Sequence, residues 1–119
     1  IDFQFKDFTS VIPANTWRTI QGNTYYYQNY VKQKNAWIDD GTGWFYMNGD
    51  GLASKGWLTL SGTSYYLDDS TGRMITGWKS DNGKWYYFHN VSDGTRGRML
   101  IDTTTPDGYK VGPDGVWIP

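Results

Sequence analysis

Four tryptophans recur at a nearly constant interval, and this interval constrains the fold more than any other feature of the chain. Trp17, Trp37, Trp57 and Trp78 are separated by 20, 20 and 21 residues. A fixed interval of this size is the signature of a repeat architecture, in which each unit buries its apolar faces against its neighbours. The sequence therefore predicts about four tandem units instead of a single globular core.

Each unit also repeats a second group of residues after its tryptophan. The residue seven positions after the repeated tryptophan is Thr24, Trp44, Ser64 or Trp85. Two aromatic residues follow at once, and a glycine precedes the group by one or two positions. The aromatic pairs are Tyr25 and Tyr26, Phe45 and Tyr46, Tyr65 and Tyr66, and Tyr86 and Tyr87. Aromatic residues favour strands and Gly, Asn, Asp and Ser clusters favour turns, so each unit predicts a β-hairpin.

No segment shows a helical period, and a single two-stranded hairpin is marginally stable in water. The sequence thus predicts an all-β solenoid of stacked hairpins. We assign the repeats to residues 16–35, 36–55, 56–76 and 77–99. Residues 1–15 lie outside the period and are expected to form an N-terminal cap, and residues 100–119 a degenerate terminal hairpin.

The turn residues predict the register of each hairpin. A two-residue Asp40-Gly41 turn would place Trp37 directly opposite Trp44, with Tyr46 on the same face and Phe45 on the other. The other units carry glycine one place later, which favours a type I turn with a glycine bulge. Because they alternate to the opposite face, the first aromatic residues of the four pairs are expected to pack between hairpins.

Charge and composition exclude several classes of function. The net charge is −1, from 11 Lys and Arg against 12 acidic residues that are all Asp. This scattered charge argues against nucleic acid and anionic membrane as partners. No apolar run reaches the ~18 residues that span a bilayer, so we expect no membrane span and a mature or trimmed, secreted product.

Catalysis is not expected either. The chain has no Cys, which excludes disulfides, thiolate zinc sites and a cysteine nucleophile. His89 is the single histidine and lacks the companions of a zinc site or a nucleophile triad. Asp39-Asp40 and Asp68-Asp69 are explained by turn chemistry, since adjacent strand residues point to opposite faces. We therefore predict no enzyme, no metal and no cofactor.

The fourth unit identifies a family. Residues 76–88, with the sequence TGWKSDNGKWYYF, resemble the choline-binding repeat of pneumococcal and phage surface proteins. The resemblance extends over residues 14–99 in good register. It implies a left-handed β-solenoid whose sites lie between consecutive hairpins and bind the choline of teichoic acid. In that family two Trp of one hairpin and a Tyr of the next form the walls.

Carried over residue by residue, the resemblance implies one complete site, with walls Trp37, Trp44 and Tyr66 and with Met74 as a lining residue. Trp78 and Trp85 supply two walls of another site. The aligned position of its third wall is Lys110, and Tyr109 or Trp117 is expected to substitute.

Two further sites are expected to be incomplete. Thr24 and Ser64 stand where the second Trp belongs. The resemblance therefore leaves Trp17 with Tyr46, and Trp57 with Tyr87.

The implied ligand suits aromatic walls. The choline ammonium is permanently charged, carries three methyl groups and donates no N–H hydrogen bond, so π faces and dispersion must hold it. One cation–π contact contributes ~0.5 to 2 kcal/mol, which makes a single site weak. Repeated sites would gain avidity on a polymer that presents many cholines.

The expected function is attachment to choline of teichoic or lipoteichoic acid at a bacterial cell surface. Two alternatives remain open: a glucan- or other carbohydrate-binding module, in which Trp and Tyr stack on sugars, and a choline-anchored adhesin or regulator with an unknown host or bacterial protein partner. A homodimer through the terminal hairpins is also open.

Overall fold

The computed structural model describes residues 15–119, and the expected cap, apart from Asn15, lies outside the described residues. Within this range the chain is all-β and contains no helix, which confirms the predicted fold class. The strands are β1 Asn15–Ile20, β2 Asn23–Gln28, β3 Val31–Lys32, β4 Ala36–Asp39, β5 Trp44–Met47, β6 Gly56–Leu60, β7 Thr63–Leu67, β8 Gly77–Asp81, β9 Lys84–Phe88, β10 Thr103–Thr104, β11 Lys110–Val111 and β12 Trp117–Ile118.

The strands form antiparallel hairpins in chain order. β1-β2, β4-β5, β6-β7 and β8-β9 are the four aromatic hairpins, β3 adds to the first, and β10-β11-β12 form a three-stranded sheet. The chain divides into two compact units, Ile1–Ser54 and Lys55–Pro119.

All four hairpins share one register. The repeated Trp lies opposite the second Tyr of the aromatic pair: Trp17 opposite Tyr26, Trp37 opposite Tyr46, Trp57 opposite Tyr66, and Trp78 opposite Tyr87. The four ring pairs are T-shaped, with centroids 5.0, 5.2, 5.2 and 5.1 Å apart. Edge-to-face contact is the arrangement that aromatic quadrupoles favour, so the same cross-strand pair stabilises every hairpin.

The turns differ from the prediction in three hairpins. The loops contain two residues, Gln21–Gly22, Ser61–Gly62 and Asn82–Gly83, and both residues of each loop have positive φ. This is the type I′ geometry, so the predicted type I turn with a glycine bulge is wrong. Type I′ is favoured because its twist matches that of the flanking strands.

The second hairpin has a longer loop than predicted. Residues 40–43 connect its strands, and Asp40 Oδ1 accepts hydrogen bonds from the Thr42 backbone N–H at 2.8 Å and hydroxyl at 2.6 Å. Trp44 therefore lies opposite Asp39, and the prediction that it directly faces Trp37 is wrong. Because side chains alternate along a strand, Trp37 and Trp44 still share a face as diagonal neighbours.

The first unit has a small aromatic and aliphatic core. Tyr26, Ile38, Phe45 and Met47 are buried, and Trp17 packs against them. The Phe45 ring lies 5.0 Å from Trp17, edge to face.

The second unit repeats this packing. Trp57 contacts Tyr86 at 4.8 Å and Phe88 at 5.9 Å, and Phe88 and Leu67 are fully buried. Tyr86 occupies the same repeat position as Phe45. The prediction that this position packs between hairpins is confirmed at both.

The connectors between hairpins pack closely against each other where one of them carries a glycine. In the second unit Met74 pairs with Leu67 and Met99 with Phe88 as isolated bridges. A Cβ on Gly97, whose φ is 91°, would overlap the side chain of Met74. This position therefore requires glycine for both its conformation and its close approach.

The terminal sheet contains two Pro-Asp-Gly loops. Residues 106–108 and 113–115 are three-residue hairpin loops, closed by hydrogen bonds from Gly108 N–H to Thr105 O and from Gly115 N–H to Gly112 O, both 2.9 Å. Proline presets the first loop residue and glycine takes the positive φ of the third. Residues 100–119 thus form three strands where a degenerate hairpin was expected.

Candidate functional site

The four hairpins are of two kinds. In the first and third, small hydroxyl residues pair across the strands: Thr19 Oγ1 lies 3.1 Å from Thr24 Oγ1, and Thr59 Oγ1 lies 3.2 Å from Ser64 Oγ. In the second and fourth, a second tryptophan takes this position, Trp44 or Trp85. Two hairpins therefore present a pair of indoles on one face and two present one indole beside hydroxyls.

The fourth hairpin presents its indole pair to the terminal sheet. Trp78 lies opposite Tyr87, and Trp85 precedes Tyr87 by two residues, so all three share a face. Tyr87 is buried, whereas Trp85 is 45% exposed. The Trp78 ring packs edge to face on the buried Tyr87.

These indoles and the terminal sheet border an open pocket of about 390 Å³, lined by Trp78, Trp85, Tyr109 and Trp117. The Tyr109 ring lies 5.9 Å from Trp78 and 6.3 Å from Trp117, edge to face in both cases. The sequence left Tyr109 and Trp117 as alternative third walls, and the structure brings both to the pocket. A concave site with four aromatic walls can hold an apolar or cationic group but offers little to an anion.

The first Pro-Asp-Gly loop places Tyr109. Its backbone N–H donates to Thr105 Oγ1 at 3.1 Å, and its carbonyl accepts from the Thr105 N–H at 2.7 Å. Lys110, at the aligned wall position, is exposed in the next strand and pairs with Thr104. The neighbouring tyrosine therefore supplies the wall.

The same loop holds the Trp78 indole. Its Nε1–H donates to Asp107 Oδ2 at 2.9 Å, and the equivalent bonds of Trp17 to Asp40 and Trp57 to Asp81 measure 2.8 and 3.1 Å. Sequence reasoning missed these carboxylates because it assigned Asp to turn chemistry alone. The available signal was an Asp 23, 24 or 29 residues after a repeated Trp.

Hydrogen bonding keeps the pocket carboxylate ionised. The hydroxyl of Thr105 and the indole N–H of Trp78 lower the pKa of Asp107 below its usual value. At Asp40, burial acts to raise the pKa, but hydrogen bonds from Thr42 and Trp17 outweigh it and the pKa is lowered. A negative charge therefore lies beside the indole at neutral pH.

The second hairpin carries the other indole pair. Trp44 is 40% exposed and shares a face with Trp37, whose ring packs on Tyr46. Both tryptophans lie in the first unit and Tyr66 in the second, so the three-walled site implied by the resemblance stays a prediction.

Within its own unit, Tyr66 is buried and contacts Trp57 at 5.2 Å. Its hydroxyl donates to the Asp69 carboxylate at 3.0 Å, and Lys79 Nζ lies 5.1 Å from its ring centroid. Burial, followed by the hydrogen bond to Asp69, raises the pKa of Tyr66.

The remaining expected wall residues contribute to packing. Tyr46 and Tyr87 pack on Trp37 and Trp78 of their own hairpins, while Trp17 and Trp57 contact Phe45 and Tyr86 of the following ones. Met74 packs where Gly97 approaches. The expected pairing of Trp17 with Tyr46 and of Trp57 with Tyr87 in ligand sites stays a prediction.

Other polar groups in residues 15–119 form no second centre. His89 Nε2 lies 3.0 Å from Asp93, and hydrogen bonds that the carboxylate accepts, first from Thr95 and then from His89, lower the pKa of Asp93. The described residues contain no cluster of three or more potential metal ligands. They also contain no helix of the length and apolarity needed to cross a membrane.

Fold and site together define a class: an all-β repeat module with an aromatic pocket. Two family models of repeat modules match the chain. A choline-binding repeat matches residues 78–117, and a cell wall binding repeat matches residues 35–53 and 55–74.

Solved structures and a curated relative extend the comparison. Choline binding protein F from Streptococcus pneumoniae is 36% identical, with 89% of this chain and 34% of that chain covered and a TM-score of 0.74. The choline binding domain of Spr1274 from Streptococcus pneumoniae is 33% identical, with 73% of this chain and 96% of that chain covered and a TM-score of 0.61. Glucosyltransferase-S of Streptococcus mutans is 34% identical over 83% of this chain and 8% of that protein.

The chain belongs to the choline-binding repeat family. It spans about a third of choline binding protein F and less than a tenth of the glucosyltransferase.

Proposed function

We propose that this chain is a non-catalytic attachment module that binds the choline of teichoic acids in the pocket of Trp78, Trp85, Tyr109 and Trp117. The trimethylammonium group of choline offers no N–H donor, so its recognition depends on π faces and close apolar contact. Four aromatic walls around about 390 Å³ supply both. This pocket is the observation that carries the proposal.

Charge at the pocket favours a cation. Asp107 is hydrogen-bonded to the Trp78 indole, and its pKa is lowered, so it carries a negative charge close to the wall. A carboxylate at the edge of an aromatic wall attracts an ammonium group and disfavours a phosphate in the same place. The ammonium end of phosphocholine would therefore enter the pocket and the phosphate would face solvent.

The proposal extends to a second indole pair and to weaker positions. Trp37 and Trp44 would supply walls of a further choline site in the second hairpin, and Trp17 and Trp57, each without a second Trp, would bind weakly or not at all. One site of this kind reaches roughly millimolar affinity. Linked sites on one polymer raise avidity by ~10²- to 10⁴-fold where the geometry allows both to engage.

Location and role follow from the ligand. Choline of teichoic acid lies outside the cell, so we propose a secreted chain held at a bacterial cell wall. A choline-anchored adhesin or regulator with a protein partner is compatible with this attachment.

A carbohydrate ligand is the second candidate. The glucosyltransferase relative and the hydroxyl pairs beside Trp17 and Trp57 favour it. An indole next to hydroxyls suits a sugar, whose C–H face stacks while its hydroxyls form hydrogen bonds.

The test is a calorimetric titration of the chain with choline and, separately, with dextran. We expect choline to bind near millimolar and Trp85→Ala to lose the pocket site. Tyr30→Asn, which changes an exposed aromatic residue on the first unit, is the matched control and should bind as the parent does. Saturable binding of dextran with no response to choline would replace the proposal with the carbohydrate candidate.

A further inference from the structure

A continuous chain of hydrogen bonds joins two walls of the aromatic pocket. The Trp78 Nε1–H donates to Asp107 Oδ2, the Thr105 hydroxyl donates to Asp107 Oδ1, and the Tyr109 backbone N–H donates to Thr105 Oγ1. The Trp78 ring belongs to the fourth hairpin and Tyr109 to the terminal sheet. The carboxylate therefore links an indole on one element to the backbone of a tyrosine on another.

The link joins an exposed carboxylate to a buried threonine. Thr105 is 3% exposed, and its hydroxyl both donates to the carboxylate and accepts from the backbone of Tyr109. The loop is closed by the Gly108 N–H to Thr105 O bond, and proline at its first position limits its conformations. Each oxygen of Asp107 accepts one of the two bonds.

We propose that Asp107 is a positioning residue of the ammonium pocket: it fixes the Trp78 wall directly and the Tyr109 wall through Thr105, and so sets the affinity for a quaternary ammonium ligand. The inference rests on the proposed function and names the residue, outside the aromatic walls, on which that function depends. Walls held before the ligand arrives lose less conformational entropy on binding, which is how such a network raises affinity.

The terminal sheet provides a matched comparison within the same chain. Its second Pro-Asp-Gly loop carries Asp114, whose carboxylate accepts the Val116 backbone N–H at 3.0 Å. Asp114 is exposed and stands at the same loop position as Asp107. Substitution of either residue by Asn removes one negative charge at the same loop position, but only Asp107→Asn removes an acceptor from a pocket wall.

The experiment follows the seven tryptophan indole N–H signals of the full chain by NMR. Single Trp→Phe variants assign them, and choline titration of the Trp85 and Trp117 signals gives the dissociation constant of this pocket. An asparagine offers one acceptor oxygen where the carboxylate offers two. We therefore expect Asp107→Asn to shift the Trp78 signal and to weaken choline binding about five- to tenfold. Asp114→Asn should do neither.

A neutral ligand separates positioning from charge. The isostere 3,3-dimethylbutan-1-ol has the shape of choline without its charge. If a substitution displaces the walls, the binding of both ligands weakens by a similar factor. If it only removes a counter-ion, the binding of choline alone weakens. Thr105→Val should also weaken the binding of both ligands. Thr105→Ser, which keeps the hydroxyl, should bind them as the parent does.

The inference is overturned if Asp107→Asn binds choline as Asp114→Asn does, or if the neutral ligand keeps parental affinity in Asp107→Asn. A parent chain whose Trp85 and Trp117 signals do not respond to choline would instead contradict the proposed function, and that result is obtained before Asp107 or Thr105 is changed.

Discussion

Three of the four repeated tryptophans use the indole N–H and the ring in different ways. The indole N–H of Trp17, Trp57 and Trp78 donates to a carboxylate of the following hairpin or sheet, while the ring packs edge to face on a tyrosine of its own hairpin. A buried or half-buried indole needs a partner for its donor, and an aspartate also leaves a negative charge beside the ring. One residue type thus supplies both packing and a surface that attracts cations.

A first prediction at this scale concerns pH. The pKa of Asp107 lies below its usual 3.8, so the carboxylate stabilises the fold fully above the unfolded value, and this contribution is lost as the pH falls through the lowered value. The melting temperature of the parent should therefore drop more steeply than that of Asp107→Asn between about pH 5 and about pH 2.5. Thermal melts followed by circular dichroism at each pH measure this. Parallel curves for the two proteins would contradict the assignment.

At the scale of elements, the sequence predicted more of the strands than of the turns. Alternating aromatic residues fix which residues pair, and the hairpins lie where the tryptophan interval placed them. The loop after Asp39 could not be predicted, because hydrogen bonds from Thr42 to Asp40 stabilise four loop residues where Asp-Gly alone favours two. From the sequence, Tyr109 and Trp117 were predicted only as alternatives for one wall. They meet at the same pocket because of two Pro-Asp-Gly loops that lie outside the repeat.

Glycine in the connectors gives a stability prediction. Gly97→Ala forces a Cβ into the side chain of Met74 as well as into a positive φ of 91°. Gly94→Ala carries the same conformational cost, with φ at 93°, but meets nothing within 4 Å. We expect Gly97→Ala to be less stable than Gly94→Ala by about 1 to 3 kcal/mol, the usual cost of overpacking. Chemical denaturation of both variants measures the difference, and equal midpoints would contradict the packing described for this connector.

A gain of function is expected in the third hairpin. Ser64 occupies the position at which Trp85 stands in the fourth hairpin, and its carbonyl keeps a backbone hydrogen bond from Met99 N–H at 2.9 Å. Ser64→Trp should therefore add one choline per chain in calorimetry by pairing a second indole with Trp57. Ser64→Leu is the matched control, because it adds apolar area without a π face. An unchanged stoichiometry in Ser64→Trp would show that a second indole is not sufficient.

At the scale of the whole molecule, stability depends on small interfaces. The four hairpins have few aliphatic residues to bury. The second unit holds its terminal sheet through aromatic contacts, the Trp78–Asp107 hydrogen bond and a bridge between Tyr86 and Val116. A ligand that binds between the fourth hairpin and this sheet binds only when the two are docked. Ligand binding and folding should therefore be linked.

This linkage predicts stabilisation by choline. At 100 times the dissociation constant, one site adds ~2.7 kcal/mol to the free energy of unfolding. The melting temperature should rise with choline in the parent and rise less in Trp85→Ala, and glycerol at equal concentration should not reproduce the difference between the two proteins. Equal increases in parent and variant would place the stabilising site elsewhere.

The most direct test of the central claim is a crystal structure of the chain grown in saturating choline. We predict ligand density between Trp78, Trp85, Tyr109 and Trp117, with the trimethylammonium group against the rings and the choline hydroxyl toward solvent. A well-ordered structure at saturating choline whose pocket holds no ligand would contradict the account.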